Sequence, residues 1–266
     1  MSISSSIGLI AGAGRLPLEF VRSPRHSQDR IVAALIKGAA PTVLEKRLPG
    51  CLWISVGQLG SLISFFKKQG VRRAVMLGKV QHSSALKDPR LDWRAIHLLA
   101  RLKDRSGETI LKGIGEELKK DGIDLMDSRK ALTHLLAKEN ESVGRPGASE
   151  ALEWGLRKAR ILAREGIGQT LLVKKGAVVA VEGAEGTDEA IRRAGRWGGK
   201  GAVLFKVASP HQDWRFDVPA VGPATLQALS RSKAAGMVIE AGKCFLLEKE
   251  RTLALARQRG LFIRIV

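Results

Sequence analysis

Ile7-Gly8-Leu9-Ile10-Ala11-Gly12-Ala13-Gly14 is an apolar run that ends in small residues, and it decides how the fold is read. It reads as a buried strand entering a tight turn, with a helix following around Leu18 to Arg22. Working outward, a second strand is predicted at Ile31 to Ile36 and a third at Leu52 to Val56. After Gly57-Gln58-Leu59-Gly60, the apolar residues of Leu62 to Lys68 keep helical spacing, and Val71 to Leu77 returns to strand character. Strands alternating with helices predict a parallel sheet of βαβ units, with ligands at the carboxyl ends of the strands. Gly12-Ala13-Gly14 and Gly78-Lys79-Val80 stand at two such ends.

From Arg90 to Lys138 the pattern is helical, with Ile96, Leu98, Leu99 and Leu102, then Ile110, Leu111, Ile114 and Leu118 near helical spacing. The polar stretch Glu139 to Ser149, which contains Gly and Pro, marks a domain boundary. Beyond it come a helix from Ala151 to about Arg164 and a hairpin of Thr170–Val173 with Ala177–Glu182 around Lys174-Lys175-Gly176. A helix after Asp188 and a strand at Ala202 to Val207 follow. The fold class expected is α/β in two domains: a Rossmann-like parallel-sheet domain over residues 1–140 and an α/β domain over residues 141–266.

The 266 residues are 44% apolar, which suits a packed core and excludes a disordered chain. No apolar run approaches the roughly 18 to 20 residues needed to span a bilayer, and no basic segment precedes the first apolar stretch, so a cytoplasmic chain is expected. Cys51 and Cys244 are far apart, which excludes a disulfide scaffold or zinc knuckle and leaves buried free thiols. The net charge of +19 asks for an anionic partner. It is spread over the chain, net +11 in residues 1–140 and net +8 in residues 141–266. With no Tyr and 7 Phe, platforms for stacking bases are scarce, so specific nucleic-acid binding is not expected. An anionic membrane surface or a phosphorylated substrate accounts for the excess equally well, and so does a merely soluble basic surface.

Gly12 and Gly14 invite a dinucleotide reading, in which backbone N–H groups approach a pyrophosphate. The full fingerprint fails: Pro17 stands where the third glycine belongs, and the second strand ends in Lys37 rather than a carboxylate. Gly183-Ala184-Glu185-Gly186-Thr187-Asp188 leads from strand to helix, with Thr187 or Asp188 as the expected N-cap. Glu182 and Glu185 add carboxylates that suit a solvated rim or metal-assisted chemistry. Between Pro210 and Pro219 lie His211, Gln212, Asp213, Arg215 and Asp217, a concentration of polar groups with few allowed conformations. If this segment were extended, Arg215 and Asp217 would share a face, one as a phosphate clamp and the other as a hard oxygen ligand or general base. A structural Arg–Asp pair is an equal reading of the same residues. The histidines show no zinc spacing, and neither a G-x-S-x-G elbow nor a P-loop is present.

Taken together, Gly8 to Pro17, Gly166-Ile167-Gly168-Gln169, Ala180 to Asp188 and Gln212 to Pro223 resemble the UDP-2,3-diacylglucosamine pyrophosphatases of the type unrelated to calcineurin-like phosphoesterases. The resemblance covers nearly the whole chain. It departs after Gly78-Lys79-Val80, where the family's Arg-Pro is replaced by Gln81-His82-Ser83. It implies hydrolysis of the diphosphate of UDP-2,3-diacylglucosamine to UMP and 2,3-diacylglucosamine 1-phosphate in lipid A assembly. Water would attack the phosphorus nearer the sugar, within a two-domain clamp. The implied cofactor is Mg²⁺, with Mn²⁺ the alternative, and the implied essential aspartate and metal ligand is Asp217. Gly12, Ala13, Gly14 and Leu16 match the amino-terminal ligand loop, and Gly186, Thr187, Asp188, Lys206 and Gln212 match positions around the site. Gly78, Lys79 and Arg215 complete the expected substrate contacts. The implied partners are the diacylated UDP-glucosamine lipid and, through the basic exterior, an anionic membrane surface on the inner face of the inner membrane. The acyl chains call for an apolar cavity, expected at the domain interface. These motifs do not encode the oligomeric state, a homo-oligomer being one option. The competing readings are a nucleotide-sugar or NAD-type enzyme using the Gly12/Gly14 turn, and a nucleic-acid-binding protein.

Overall fold

The computed structural model describes residues 6–27, 29–80, 90–104, 106–147 and 149–266, so Gln81-His82-Ser83 lies outside the described residues. The chain forms two compact units, one of residues 1–132 with 214–216 and one of residues 133–213 with 217–266. The first holds β1 (Ser6–Ala11), α1 (Leu16–Arg22), β2 (Arg30–Ile36), β3 (Cys51–Ile54), α2 (Leu59–Lys68) and β4 (Arg73–Leu77). It continues with α3 (Trp93–Arg101), α4 (Gly107–Lys120), β5 (Asp124–Leu125) and α5 (Ser128–Ala131). The sheet order is β3-β2-β1-β4-β5, every pair parallel, the order found in doubly wound α/β sheets. The two continuous apolar runs become its central strands because only strands covered on both faces can bury every side chain. Ile7 to Ala11 pair with β2 on one side and β4 on the other, and both faces of β1 are buried.

The second unit holds α6 (Ser149–Arg164), β6 (Thr170–Lys174), β7 (Ala177–Val181), α7 (Thr187–Arg196), β8 (Val203–Lys206) and β9 (Ala220–Val221). Then come α8 (Pro223–Arg231), β10 (Gly236–Ile239), β11 (Phe245–Leu246), α9 (Lys249–Gln258) and β12 (Phe262–Ile265). Its main sheet, β12-β10-β8-β6-β7, is mixed: β8, β10 and β12 run parallel, and β6 runs antiparallel to both β8 and β7. The expected hairpin forms around Lys175 at φ 47° and Gly176 at φ 75°, the pair of positive angles a type I′ turn requires. Residues after Leu132 belong to this unit through pairing: Ala137 N–H donates to Cys244 O at 2.9 Å, and Val143 bridges Ile263. The unit boundary thus falls at 132/133, against the 140/141 read from composition. Composition marked the polar loop, whereas the hydrogen bonds begin in the apolar Leu135–Ala137 stretch before it.

Two local expectations change. The N-cap of α7 is Gly186, at φ 87° and with no side-chain cap bond, because the Thr187 hydroxyl is engaged elsewhere and Asp188 is exposed beyond it. Residues Trp214–Phe216 form a turn closed by an Asp217 N–H···O Asp213 bond of 3.2 Å, so Arg215 and Asp217 do not alternate along an extended strand. The prolines that bound the segment limit the conformations available to it, and a closed turn is the one adopted.

Candidate active site

The candidate site side chains of the second unit gather where β8 ends and β6 begins. The antiparallel register pairs Thr170 with Lys206, which brings the first residue of one strand to the last of the other. Lys206 is buried, 6% exposed, and its ammonium donates to Thr170 Oγ1 at 3.0 Å and Thr187 Oγ1 at 2.8 Å. The Thr187 hydroxyl donates in turn to Glu182 Oε1 at 2.9 Å. Glu182 Oε2 lies 3.5 Å from Lys206 Nζ and is buried with no hydrogen bond. A buried ammonium persists only beside a carboxylate and with its protons bonded, and this arrangement supplies both.

A second cluster adjoins the first through Gln169, whose backbone carbonyl takes the Val207 N–H at 3.0 Å. The Gln169 amide donates to Gln212 Oε1 at 2.9 Å and to Asp217 Oδ2 at 3.3 Å. Gln212 Nε2 reaches Asp217 O at 2.8 Å and Asp217 Oδ2 at 3.2 Å. One oxygen of the exposed Asp217 carboxylate is therefore fixed by two amides, and no hydrogen bond among the described residues reaches Oδ1. That leaves a hard oxygen oriented by its partner and open to a cation or water. Among the described residues no group of three or more His, Cys, Asp or Glu converges, so a cation here would have one carboxylate plus ligand oxygens, as Mg²⁺ usually does with phosphates. Beside this cluster the turn at Gly186 opens α7, whose first-turn N–H groups are the donors a phosphate oxygen takes at a helix start. Glu185 is committed to that turn, paired with Arg193 and accepting Gly183 N–H at 3.1 Å.

In the first unit, Gly12 and Gly78 meet at the carboxyl ends of β1 and β4. Gly12 N–H donates to Leu77 O at 2.8 Å, Ala13 N–H to Lys79 O at 2.8 Å, and Lys79 N–H to Ala13 O at 2.9 Å. A β-carbon on Gly12 would stand 2.7 Å from Lys79 O, and one on Gly78 2.5 Å from Ala13 O, so close approach of two chains explains both glycines. The N–H groups of Gly12 and Ala13 are taken up by this pairing. Gly14 is exposed at φ 100°, Leu16 opens α1 half-buried, and Lys79 is exposed, so these residues form the accessible rim. Behind it lies an apolar cavity of about 110 Å³, lined by Ile10, Ile36, Ile54, Leu62, Ile110 and Phe216 among others. Arg215 also belongs to this unit and stacks on Phe216, its guanidinium carbon 4.8 Å from the ring centre.

The structure thus brings Thr187, Lys206, Gln212 and Asp217 into one neighbourhood with Gly186 and Asp188 beside them. It groups Gly12, Ala13, Gly14, Leu16, Gly78 and Lys79 at strand ends of the other unit. Thr170 and Gln169, which are outside the expected site residues, belong to the clusters around Lys206 and Asp217 respectively, and Glu182, read as a rim or metal-assisting carboxylate, turns to Lys206 and Thr187 instead. The signal for Gln169 was its place in the Gly166–Gln169 motif, and that for Glu182 its position five residues before Thr187 at a strand end. Neither cysteine takes part: burial pushes the Cys244 thiol up to about 12 and also raises that of Cys51.

Two family models match the chain, the one described as LpxI N-terminal domain over residues 6–135 and the one described as LpxI C-terminal domain over residues 140–264. A curated relative, the UDP-2,3-diacylglucosamine pyrophosphatase LpxI of Caulobacter vibrioides, is 27% identical over 271 residues, covering 97% of this chain and 96% of that protein. With both domain models matched in order across nearly its full length, the chain belongs to the LpxI family.

Proposed function

We propose that this protein hydrolyses the diphosphate of UDP-2,3-diacylglucosamine, releasing UMP and 2,3-diacylglucosamine 1-phosphate for lipid A synthesis. The observation that carries the reading is Asp217, with Oδ2 held by Gln169 and Gln212 and Oδ1 open, in a chain of the LpxI family. Attack by water forms a new P–O bond to the phosphorus nearer the sugar and breaks the anhydride bond to the UMP oxygen. A diphosphate repels an incoming oxygen unless its charge is compensated. The open Oδ1 fits Mg²⁺, which when bound would neutralise phosphoryl oxygens and acidify a water. The chain's own contribution is orientation. Gln169 and Gln212 keep Asp217 in one rotamer, and the first turn of α7 offers backbone donors for phosphoryl oxygens. Lys206, locked by Thr170, Thr187 and Glu182, sets a fixed positive charge beneath that turn.

The apolar cavity of the first unit, about 110 Å³, has room for a few methylenes of an acyl chain, and the exposed rim at Gly14, Leu16 and Lys79 suits the polar groups next to it. No helix among the described residues is long and apolar enough to cross a membrane. A lipid substrate reached by such a chain supports peripheral contact with the inner membrane from its cytoplasmic side.

The test is UMP release from UDP-2,3-diacylglucosamine by the wild-type chain and Asp217→Ala, with and without Mg²⁺ or Mn²⁺. Metal-dependent release is expected from the wild type, with a loss of about 10²-fold or more in the folded variant. A folded wild-type chain that releases no UMP with either metal overturns the assignment.

A further inference from the structure

We propose that the outer face of α3, together with the last turn of α2, is the surface by which this protein docks on an anionic lipid bilayer. Helical periodicity puts Ala95 and Leu98 inward, both buried, and leaves Trp93, Ile96 and Ala100 on the opposite side. Trp93 is 77% exposed and Ile96 45% exposed, an indole and a branched aliphatic side by side in water. Single exposed apolar residues are ordinary, but this stripe has cationic flanks. A groove of about 650 Å³ between α2 and α3 is lined by Ser61, Ser64, Lys67, Lys68, Trp93 and Arg94 among others.

Charge decides the occupant. Asp121 accepts from Lys67 at 2.8 Å and also from Arg94, so two cations share one carboxylate. Glu117 likewise serves Lys120 and Arg101. Lys68 has no partner among the described residues. The face therefore keeps an excess of positive charge beside hydroxyl groups and an exposed indole. Tryptophan settles at the headgroup level of a bilayer, and lysine and arginine are drawn to anionic headgroups there.

Rigidity and position support the same occupant. Asp92 caps Ala95 N–H at 3.0 Å through one oxygen and accepts Gly60 N–H at 2.6 Å through the other, which fixes the first turn of α3, and Trp93 with it, to the start of α2. Leu59 and Leu62 of α2, and Ile110 and Ile114 of α4, line the apolar cavity. The docking face and the cavity thus share α2, whose last turn carries the one and whose first turns line the other. This inference rests on the lipid-substrate reading for its purpose, though not for its measurement.

The experiment is co-sedimentation of the full chain with vesicles of phosphatidylcholine alone and of phosphatidylcholine mixed with phosphatidylglycerol, at low and high NaCl. The wild type should bind the anionic vesicles and be released by salt. Trp93→Ala, Ile96→Ser and Lys68→Glu, all at exposed positions, should each weaken binding about tenfold. Trp197→Ala, which removes the equally exposed indole of the other unit, should leave binding unchanged. The proposal is overturned if the wild type ignores anionic vesicles, if it binds neutral ones as well, or if Trp197→Ala alone abolishes binding. UMP release from detergent-dispersed substrate, run on the same variants, should be unaltered. Binding without UMP release would leave the docking face standing and remove the substrate reading, and UMP release without binding would do the reverse.

Discussion

Glu182 compensates the buried ammonium of Lys206 and orients the hydroxyl that bonds it. Its Oε1 takes the Thr187 proton at 2.9 Å, which directs the hydroxyl's lone pairs to Lys206, and its buried Oε2 balances the ammonium from 3.5 Å. Removing one member of a buried pair leaves the other uncompensated, at a cost of about 3 to 5 kcal/mol, while replacing both with groups of like volume is often close to neutral. Glu182→Gln is therefore expected to destabilise the protein by about 3 kcal/mol, and Glu182→Gln with Lys206→Met by clearly less. Urea unfolding of both singles and the double checks this, and additive losses would show that the two residues do not act as a pair. Lys206 was legible only through the family resemblance, and Thr187 through that resemblance and as the residue opening a helix. Glu182 read equally well as a rim carboxylate. Gln169 belongs to the Gly166–Gln169 motif but its role is not legible there, because an amide carries no chemistry until tertiary structure places it, here against Asp217. Thr187 read as a cap for the same reason: nothing local says its hydroxyl turns away from the helix.

At the scale of elements, α6 must pass very close to β8, and Gly155 makes this possible. A β-carbon at that position would stand 2.3 Å from Phe205 Cζ, inside a ring that is fully buried between α6 and the sheet. Gly155→Ala would gain about 1 kcal/mol of helix propensity but overpack a rigid site, which costs about 1 to 3 kcal/mol or more. Overpacking should win, and because Phe205 precedes Lys206, displacement of the ring also moves the ammonium. A lower Tm for Gly155→Ala, partly restored by adding Phe205→Leu, is expected in thermal unfolding, and a Tm above wild type would show that the ring can move aside. The long elements were legible from pattern: β1 and β2 from unbroken apolar runs, β4 from the strand character of Val71 to Leu77, α2 and α4 from helical spacing, and α6 from its place after the polar stretch. The two-residue strands β5, β9 and β11 were not, since a pair of residues has no period and exists only through its partner strand. The three-residue excursion of Trp214–Phe216 into the first unit was invisible for a similar reason. Its anchors, Ser128 N–H to Trp214 O at 2.8 Å and Arg129 over the Trp214 ring at 4.0 Å, lie far away in sequence.

The whole molecule carries a charge of +19, and local pairing cannot remove it, because 45 basic side chains face 26 acidic ones. Two electrostatic effects then compete as salt is added. Ion pairs at contact distance, such as Lys249 with Glu141 at 2.7 Å, stabilise the fold and weaken as they are screened. The repulsion among unpaired cations acts over longer distances and destabilises the compact state. The Debye length shortens from about 30 Å at 0.01 M to about 10 Å at 0.1 M, so this first addition of salt removes mostly the long-range repulsion and leaves contact pairs nearly intact. Stability should therefore rise over that interval. A gain of 1 kcal/mol corresponds to about 2 to 4 °C in a chain of this size. Because the excess is +11 in residues 1–140 and +8 in residues 141–266, both units should respond, and separate transitions would both move upward. Calorimetry in NaCl, chosen because phosphate or sulfate would compete for the phosphate site proposed above, checks this. A Tm that falls between 0.01 and 0.1 M would mean that the paired charges outweigh the unpaired ones and that the basic surface is already compensated within the fold.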